Sequence, residues 1–329
     1  MSSQCYIAGL GMYLPRQVVT NFDLEKTVDT SDEWIRTRTG ITARHVANAD
    51  EPCSYLAYEA ARQALSQAGL DASELTHIIV GTFSGDYNLP TTSCLLQDLL
   101  GIKGIPCMDL AAACTGFLYG LETARAYTSL YPEAKILVVG SEVATSRLNF
   151  EDRTTCVLFG DGAGAAIVTG SAHPAGIQVL DAMLKADGSA GGLLTIMGGG
   201  CKARPILGQP IGPEYFVQMN GRDVFKHAVR SMSDICLSIL ERNALTKDDI
   251  DLIIPHQANM RIIEAIAKKL DLEQDRFFIN LDKVGNTSAA SVPIAMTEAL
   301  GTGAIKPGMK VLLTAFGGGF TWGSAILQF

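Results

Sequence analysis

Short, wholly apolar runs alternate along the chain with longer stretches of helical spacing. Ile78–Val80, Ile136–Val139, Leu252–Ile254 and Val311–Leu313 carry no polar residue, the pattern of strands covered on both faces. Between them, residues 54–70 place Leu56, Ala60, Ala64 and Ala68 at helical spacing, and residues 224–240 repeat it, which predicts helices. Apolar 105–110 reads as another strand, followed by helical spacing from Gly116 to Ala126.

The same elements occur twice. His77-Ile-Ile-Val80 and Leu252-Ile-Ile-Pro255 lie 175 positions apart, as do Lys135-Ile-Leu-Val-Val139 and Lys310-Val-Leu-Leu-Thr314. Residues 68–75 and 243–250 align without gaps at that offset, and each half closes on a Gly-rich stretch running into an apolar strand, 164–168 and 323–327. Alternating strands and helices imply layered α/β architecture. The expectation is two pseudo-symmetric halves, each with a mixed sheet and helices, divided near 170–175 into residues 1–172 and 173–329. A site should lie where equivalent loops of the two halves converge. Residues 197–213, with five glycines and three prolines, read as a loop or lid.

Composition narrows the function classes. Of 329 residues, 47% are hydrophobic and 18% charged, enough for a large core and too apolar for a disordered chain. A formal charge of −8 argues against nucleic acid, and an acidic partner would need a local basic patch. No run of 18 apolar residues exists to span a membrane. The first residues lack a cationic segment and are interrupted by Gly9, Gly11 and Pro15, so no signal peptide is expected and the cytoplasm is. Eight scattered cysteines show no CxxC and no metal-ligand spacing, which predicts reduced thiols and no metal.

Three polar residues stand at element junctions. Cys114, in Asp109-Leu-Ala-Ala-Ala-Cys-Thr-Gly-Phe117, falls on a strand-to-helix turn, where a helix N-terminus favours a thiolate; a buried cysteine filling a tight turn would look the same. His256 follows the strand 252–254 directly, where α/β sheets carry their sites. A hydrogen-bonded core histidine is the competing reading, but Gly81 stands at the equivalent place, so the fold needs no imidazole there. Asn286, in Lys283-Val-Gly-Asn-Thr-Ser-Ala-Ala-Ser291, reads as a second strand–Gly–helix junction nearly equivalent to that of Cys114, though a Gly-Asn pair also suits a simple turn or cap. The glycines of 159–164 and 316–320 match neither nucleotide-binding pattern, and Gly317–Gly319 suit an oxyanion hole.

Six segments together resemble β-ketoacyl-ACP synthase III, a condensing-enzyme family of thiolase-like fold, layered α-β-α-β-α. They are DTSDEWIRTRTGI (29–41), AAACTGF (111–117), FGDGAGAA (159–166), PHQANMRI (255–262), GNTSAASVP (285–293) and FGGGFTWGSA (316–325). The resemblance implies Cys114 as acylated nucleophile, His256 and Asn286 holding the malonyl carbonyl, and the amides of Cys114 and Gly318 as oxyanion hole. It implies coenzyme A on Trp34, Arg38, Arg153 and Asn259, with Trp34 stacking on adenine. Acyl carrier protein would sit on Lys226, Arg261, Lys268 and Lys269, and Leu89 and Phe316 would line the acyl pocket. The substrates would be an acyl-CoA and malonyl-acyl carrier protein, with no further cofactor, and the enzyme a homodimer.

The chain departs from the family pattern at Leu89, where an aromatic gate is usual, at Arg222, where asparagine is common, and in the long 197–213 loop. A smaller Leu89 implies primers longer than acetyl. A condensing or acyl-transfer enzyme of secondary metabolism is the alternative. An inactive partner subunit would lack the nucleophile, and a degradative thiolase would need a second cysteine near 316–320, where there is none.

Overall fold

The computed structural model describes residues 5–173 and 176–329. Among them nine strands share one hydrogen-bonded sheet: β1 (Tyr6–Tyr13), β2 (His77–Gly81), β3 (Cys107–Leu110), β4 (Lys135–Glu142), β5 (Gly162–Thr169), β6 (Ile177–Ala186), β7 (Leu252–Pro255), β8 (Lys310–Gly317) and β9 (Thr321–Gln328). Their spatial order is β3-β2-β4-β5-β1-β6-β9-β8-β7. Outward from the centre, β1-β5-β4-β2 and β6-β9-β8-β7 repeat one topology, antiparallel pairs inside and one parallel pair outside. The seam between them is narrow, only Tyr6 opposite Gln178 and Ile7 opposite Ile177. The second-half counterpart of β3 is reduced to one bridge between Ile253 and Phe277. Strand β5 ends at Thr169 and β6 begins at Ile177. Of the expected boundary stretch, Pro174 and Ala175 lie outside the described residues.

The helices that matter for the site are α1 (Asp32–Thr39), α2 (Cys53–Ala68), α3 (Thr92–Leu99), α4 (Gly116–Leu130), α5 (Gly221–Arg242), α6 (Met260–Leu270) and α7 (Ser291–Gly301). Helices α2 and α3 cover the outer face of the first half-sheet and α5, with α6 beside it, that of the second, while α4 and α7 touch strands of both. The layers are therefore α-β-α-β-α. The period of two along a strand accounts for the unbroken apolar runs. Ile79, Val138, Ile254 and Leu313 point into the central core with Phe117 and Leu121 of α4 and Met296 of α7. Ile78, Val80, Leu137 and Val139 point the other way, under α2, and Ile253 and Leu312 lie under α5 and α6.

One expectation changes. The segment before Asn286 is a helical turn, Leu281–Val284, not a strand, because Leu281 and Val284 bury the same face at one-turn spacing. The 197–213 stretch is irregular and exposes Met197, Ile206, Leu207 and Ile211. No helix among the described residues is long and apolar enough to cross a membrane.

Candidate active site

Beyond the carboxyl ends of β3, β7 and β8 a cavity of about 800 Å³ opens, large enough for an extended thioester. Cys114, His256, Asn286 and Phe316 all line it. Cys114 occupies a single 3₁₀ turn, Ala113–Thr115, that runs straight into α4. Ala113 holds a left-handed backbone with φ 45°, and the Thr115 hydroxyl ties the turn down by donating to the Ala112 carbonyl at 2.6 Å. Gly317 packs on the Cys114 amide so closely that a Cβ there would lie 2.7 Å from its nitrogen. Gly318, the expected second oxyanion donor, follows beside Leu194.

A resting thiolate was the expectation for Cys114. Burial instead pushes the thiol up to about 12; a hydrogen bond with Ser288 and the turn's own amide oppose this, and the nearby Glu142 charge adds to it. Desolvation of the buried thiol thus works against the thiolate that its turn favours.

His256 is set by its backbone N–H donating to the Thr314 carbonyl at 2.7 Å, which continues the β7–β8 ladder by one residue. Its Nδ1 lies 2.6 Å from Ser291 Oγ, the first residue of α7. Burial lowers its pKa to about 3, so the ring is neutral at working pH. Asn286 is fixed by its backbone, which bonds to Leu158 and Gly160 at 2.9 and 3.0 Å. Its Oδ1 accepts from the Ser288 amide at 2.9 Å, which leaves the Nδ2 end to a ligand. Neutral imidazole and amide N–H together suit an enolate or thioester oxygen.

The mouth is made where two helix ends meet. The side chain of Asn259 caps α6 and donates to the Arg38 carbonyl at 3.1 Å, and Arg261 donates to the Thr37 carbonyl at 3.0 Å. Trp34, Arg38, Arg222, Lys226, Asn259 and Arg261 line this rim. Arg153 does not line the cavity, but its guanidinium stands 5.2 Å from the Trp34 ring centre, and that of Arg38 stands 4.6 Å from it. Lys268 and Lys269 are exposed near the C-terminal end of α6, away from the cavity; Lys269 pairs with Asp234 and Lys226 with Asp223.

Leu89 stands apart from the other candidates on this chain. It is 83% exposed and not among the residues lining the cavity. Asp86 anchors its loop to the start of α2 through the Ser54 amide and hydroxyl, and the chain then carries Leu89 outward. None of residues 197–213 lines the cavity either; Leu194 and Met219, at the base of that loop, do. Sequence reading missed Glu142, Ser288 and Ser291, which stand behind the three candidate residues.

The comparisons agree with this architecture. The profile described as 3-oxoacyl-[acyl-carrier-protein (ACP)] synthase III matches residues 108–188, and its C-terminal counterpart matches residues 240–329. The beta-ketoacyl-[acyl-carrier-protein] synthase III of Oleidesulfovibrio alaskensis is 51% identical over the full length of both chains. That of Nitratidesulfovibrio vulgaris Miyazaki F is 53% identical, covering 99% of this chain and 98% of its own. The crystal structure of the Aquifex aeolicus enzyme superposes with a TM-score of 0.90 at 44% identity, over 99% of this chain and all of that one. The thiolase-like α/β fold and full-length identities above 50% lead to one conclusion: the chain belongs to the 3-oxoacyl-[acyl-carrier-protein] synthase III family.

Proposed function

We propose that this chain is a β-ketoacyl-acyl-carrier-protein synthase that starts fatty-acid synthesis, joining an acyl-CoA primer to malonyl-acyl carrier protein with loss of carbon dioxide. The observation that carries the reading is the convergence of Cys114, His256 and Asn286 on one cavity in a chain this similar to synthase III enzymes. Cys114 attacks the primer thioester, the amides of Cys114 and Gly318 hold the oxyanion, and coenzyme A leaves. The malonyl thioester then enters, and its carbonyl oxygen sits between His256 and the Asn286 amide. Decarboxylation leaves an enolate there, whose carbon attacks the acyl group on Cys114. Trp34, Arg38, Arg153 and Asn259 hold the coenzyme; Lys226, Arg261, Lys268 and Lys269 attract the acidic carrier protein; Phe316 lines the acyl end. The enzyme works as a cytoplasmic homodimer without a further cofactor, its two halves being 1–172 and 173–329.

A solved priming ketosynthase of the R1128 polyketide pathway is also similar, at 32% identity with a TM-score of 0.89. The higher full-length identities to synthase III enzymes favour the fatty-acid reading. Intact-protein mass spectrometry after incubation with straight and branched acyl-CoAs tests it: wild type should gain one acyl mass and Cys114→Ala none. An acylated Cys114→Ala protein would mean that another residue is the nucleophile.

A further inference from the structure

Residue pairs 175 apart lie at equivalent places in the two halves, and the comparison singles out what surrounds Asn286. Its equivalent is Ala111, which has no polar group to orient. Residues 113 and 288 correspond likewise, and both hold a left-handed backbone, Ala113 with φ 45° and Ser288 with φ 49°. Glu142 ends β4 and its equivalent, Gly317, ends β8. The contacts cross: Gly317 packs on the Cys114 turn, while Glu142 reaches the Ser288 turn. Beside Ala111 and its turn, glycine and alanine suffice. Beside Asn286 stand a carboxyl and a hydroxyl, which the shape of the turn does not require.

The hydrogen bonds from Glu142 lead to Asn286 in two steps. Glu142 Oε1 accepts from the Ser288 hydroxyl at 3.0 Å. The Ser288 amide donates to Asn286 Oδ1 at 2.9 Å. Glu142 and Ser288 are both fully buried, so no water replaces the bond between them. The other carboxyl oxygen, Oε2, accepts from the Ser84 hydroxyl, the Thr82 hydroxyl at 3.1 Å and the Phe83 amide at 3.2 Å, which fixes the plane of the carboxyl. No ion pair involves Glu142 among the described residues. A buried carboxyl with only neutral donors is a poor source of stability, which directs attention to what it holds in place.

We propose that Glu142 is a positioning residue for the malonyl half-reaction, acting through Ser288 to orient the Asn286 carboxamide. The proposal rests on the reading of Asn286 as a donor to the malonyl carbonyl. A carboxamide can present either end to a cavity. With Oδ1 held by the Ser288 amide, the Nδ2 end is the one left for the enolate oxygen. When Ser288 is loosened, Oδ1 can turn towards that oxygen, and two acceptors repel. Glu142 touches no substrate, and no proton or electron pair passes through it. Acyl transfer to Cys114 does not use the Asn286 carboxamide, so the network should matter to one half-reaction and not to the other.

The test reads labelled carbon dioxide release from malonyl-acyl carrier protein against acyl mass gain from acetyl-CoA, on the same preparations. Ser288→Ala keeps the turn, since alanine holds this backbone at position 113. It should slow decarboxylation about fivefold to tenfold, the worth of one hydrogen bond, with acylation at the wild-type rate. Glu142→Leu should show the same selectivity, and Glu142→Gln, which keeps an acceptor oxygen, should retain most of the rate. In an Asn286→Ala background, Ser288→Ala should change nothing further, because no carboxamide is left to orient. If the leucine protein fails to fold, Ser288→Ala and the double variant carry the test. Wild-type decarboxylation in Ser288→Ala, equal losses in both half-reactions, or an additive loss in the double variant would overturn the proposal. Undiminished decarboxylation in Asn286→Ala would instead overturn the reading of Asn286 on which it rests.

Discussion

His256 and Ser291 make in the second half of the molecule the contact that Gly81 and Gly116 make in the first. Nδ1 to Oγ is 2.6 Å, whereas a Cβ on Gly81 would lie 2.6 Å from the Gly116 carbonyl carbon. A bare backbone contact in one half is thus replaced by a hydrogen bond that orients a ring in the other.

That bond can hold the ring in the tautomer the chemistry needs. A neutral imidazole can donate to a malonyl oxygen only if the proton is on Nε2, which requires Ser291 to donate to Nδ1. Ser291→Ala removes the preference, and one hydrogen bond of this kind is worth about 1 kcal/mol. Malonyl decarboxylation should fall roughly fivefold to tenfold, with self-acylation unchanged. Direct loss of the donor, in His256→Ala or Asn286→Ala, should cost about 10²–10³ in the same half-reaction. Radiolabelled carbon dioxide release against acyl mass gain separates the two half-reactions, and equal losses in both would contradict this division.

The proposed carrier-protein patch is uneven. Lys226 and Lys269 are engaged with Asp223 and Asp234; Lys268 enters none of the ion pairs among the described residues, and Arg261 bonds a carbonyl oxygen. Arg261→Glu and Lys268→Glu should therefore raise the KM for malonyl-acyl carrier protein more than Lys269→Glu does. The difference should shrink as salt screens it. Steady-state kinetics at 20 and 300 mM salt, with acyl-CoA acylation as control, read this out, and three equal effects would count against the ranking.

Trp34 is flanked by two guanidinium groups, at 4.6 and 5.2 Å from its ring centre. A purine stacked on the ring would meet these guanidinium groups, and Arg153 is held from outside the helix by donating to the Asp29 carbonyl at 2.8 Å. Base-on-aromatic stacking is worth about 1–3 kcal/mol. Trp34→Ala should raise the KM for acyl-CoA about tenfold and leave acyl-pantetheine, which lacks the nucleotide, unaffected. An equal rise for both would show that the ring holds the pantetheine arm or the fold.

Stability offers a further handle on Glu142. Its folded pKa lies above its unfolded one, so the folded state holds the proton more tightly and loses stability as pH climbs from about 4.5 to 7. That gap corresponds to about 3 kcal/mol as an upper bound. Glutamine does not titrate, so the stability difference between Glu142→Gln and wild type should move in the variant's favour by up to that amount from pH 4 to pH 8. Urea unfolding across that range measures it, and a constant difference would mean that the carboxyl titrates normally.

The repeat was legible because strands buried on both faces cannot hide their composition. The 175-residue offset read from 77–80 and 252–255 also relates β4 to β8 and the Ala113 turn to the Ser288 turn. Cys114, His256 and Asn286 stood out because each interrupts a small or apolar run at an element's end. Where Leu89 stands on the chain was not legible, because sequence gives the end of the strand a loop leaves from, not the direction in which Asp86 anchors it. Glu142 left no motif at all; its one sequence signal was the glycine opposite it at the 175 offset, which becomes informative only when the strand ends are known to cross.

The glycine contacts around the nucleophile have a consequence for redesign. A methyl on Gly140 would meet the Ala289 carbonyl oxygen at 2.2 Å, and one on Gly81 or Gly317 would strike backbone at 2.6 or 2.7 Å. Backbone cannot rotate out of the way as a side chain does, so saturation libraries at these glycines should return almost nothing but the parent residue. The walls differ, because Leu194, Met219 and Phe225 meet the cavity with flexible side chains on the loop base and on α5. Altered substrate range, in the laboratory or in natural divergence, has those positions to draw on while the packed glycines stay fixed.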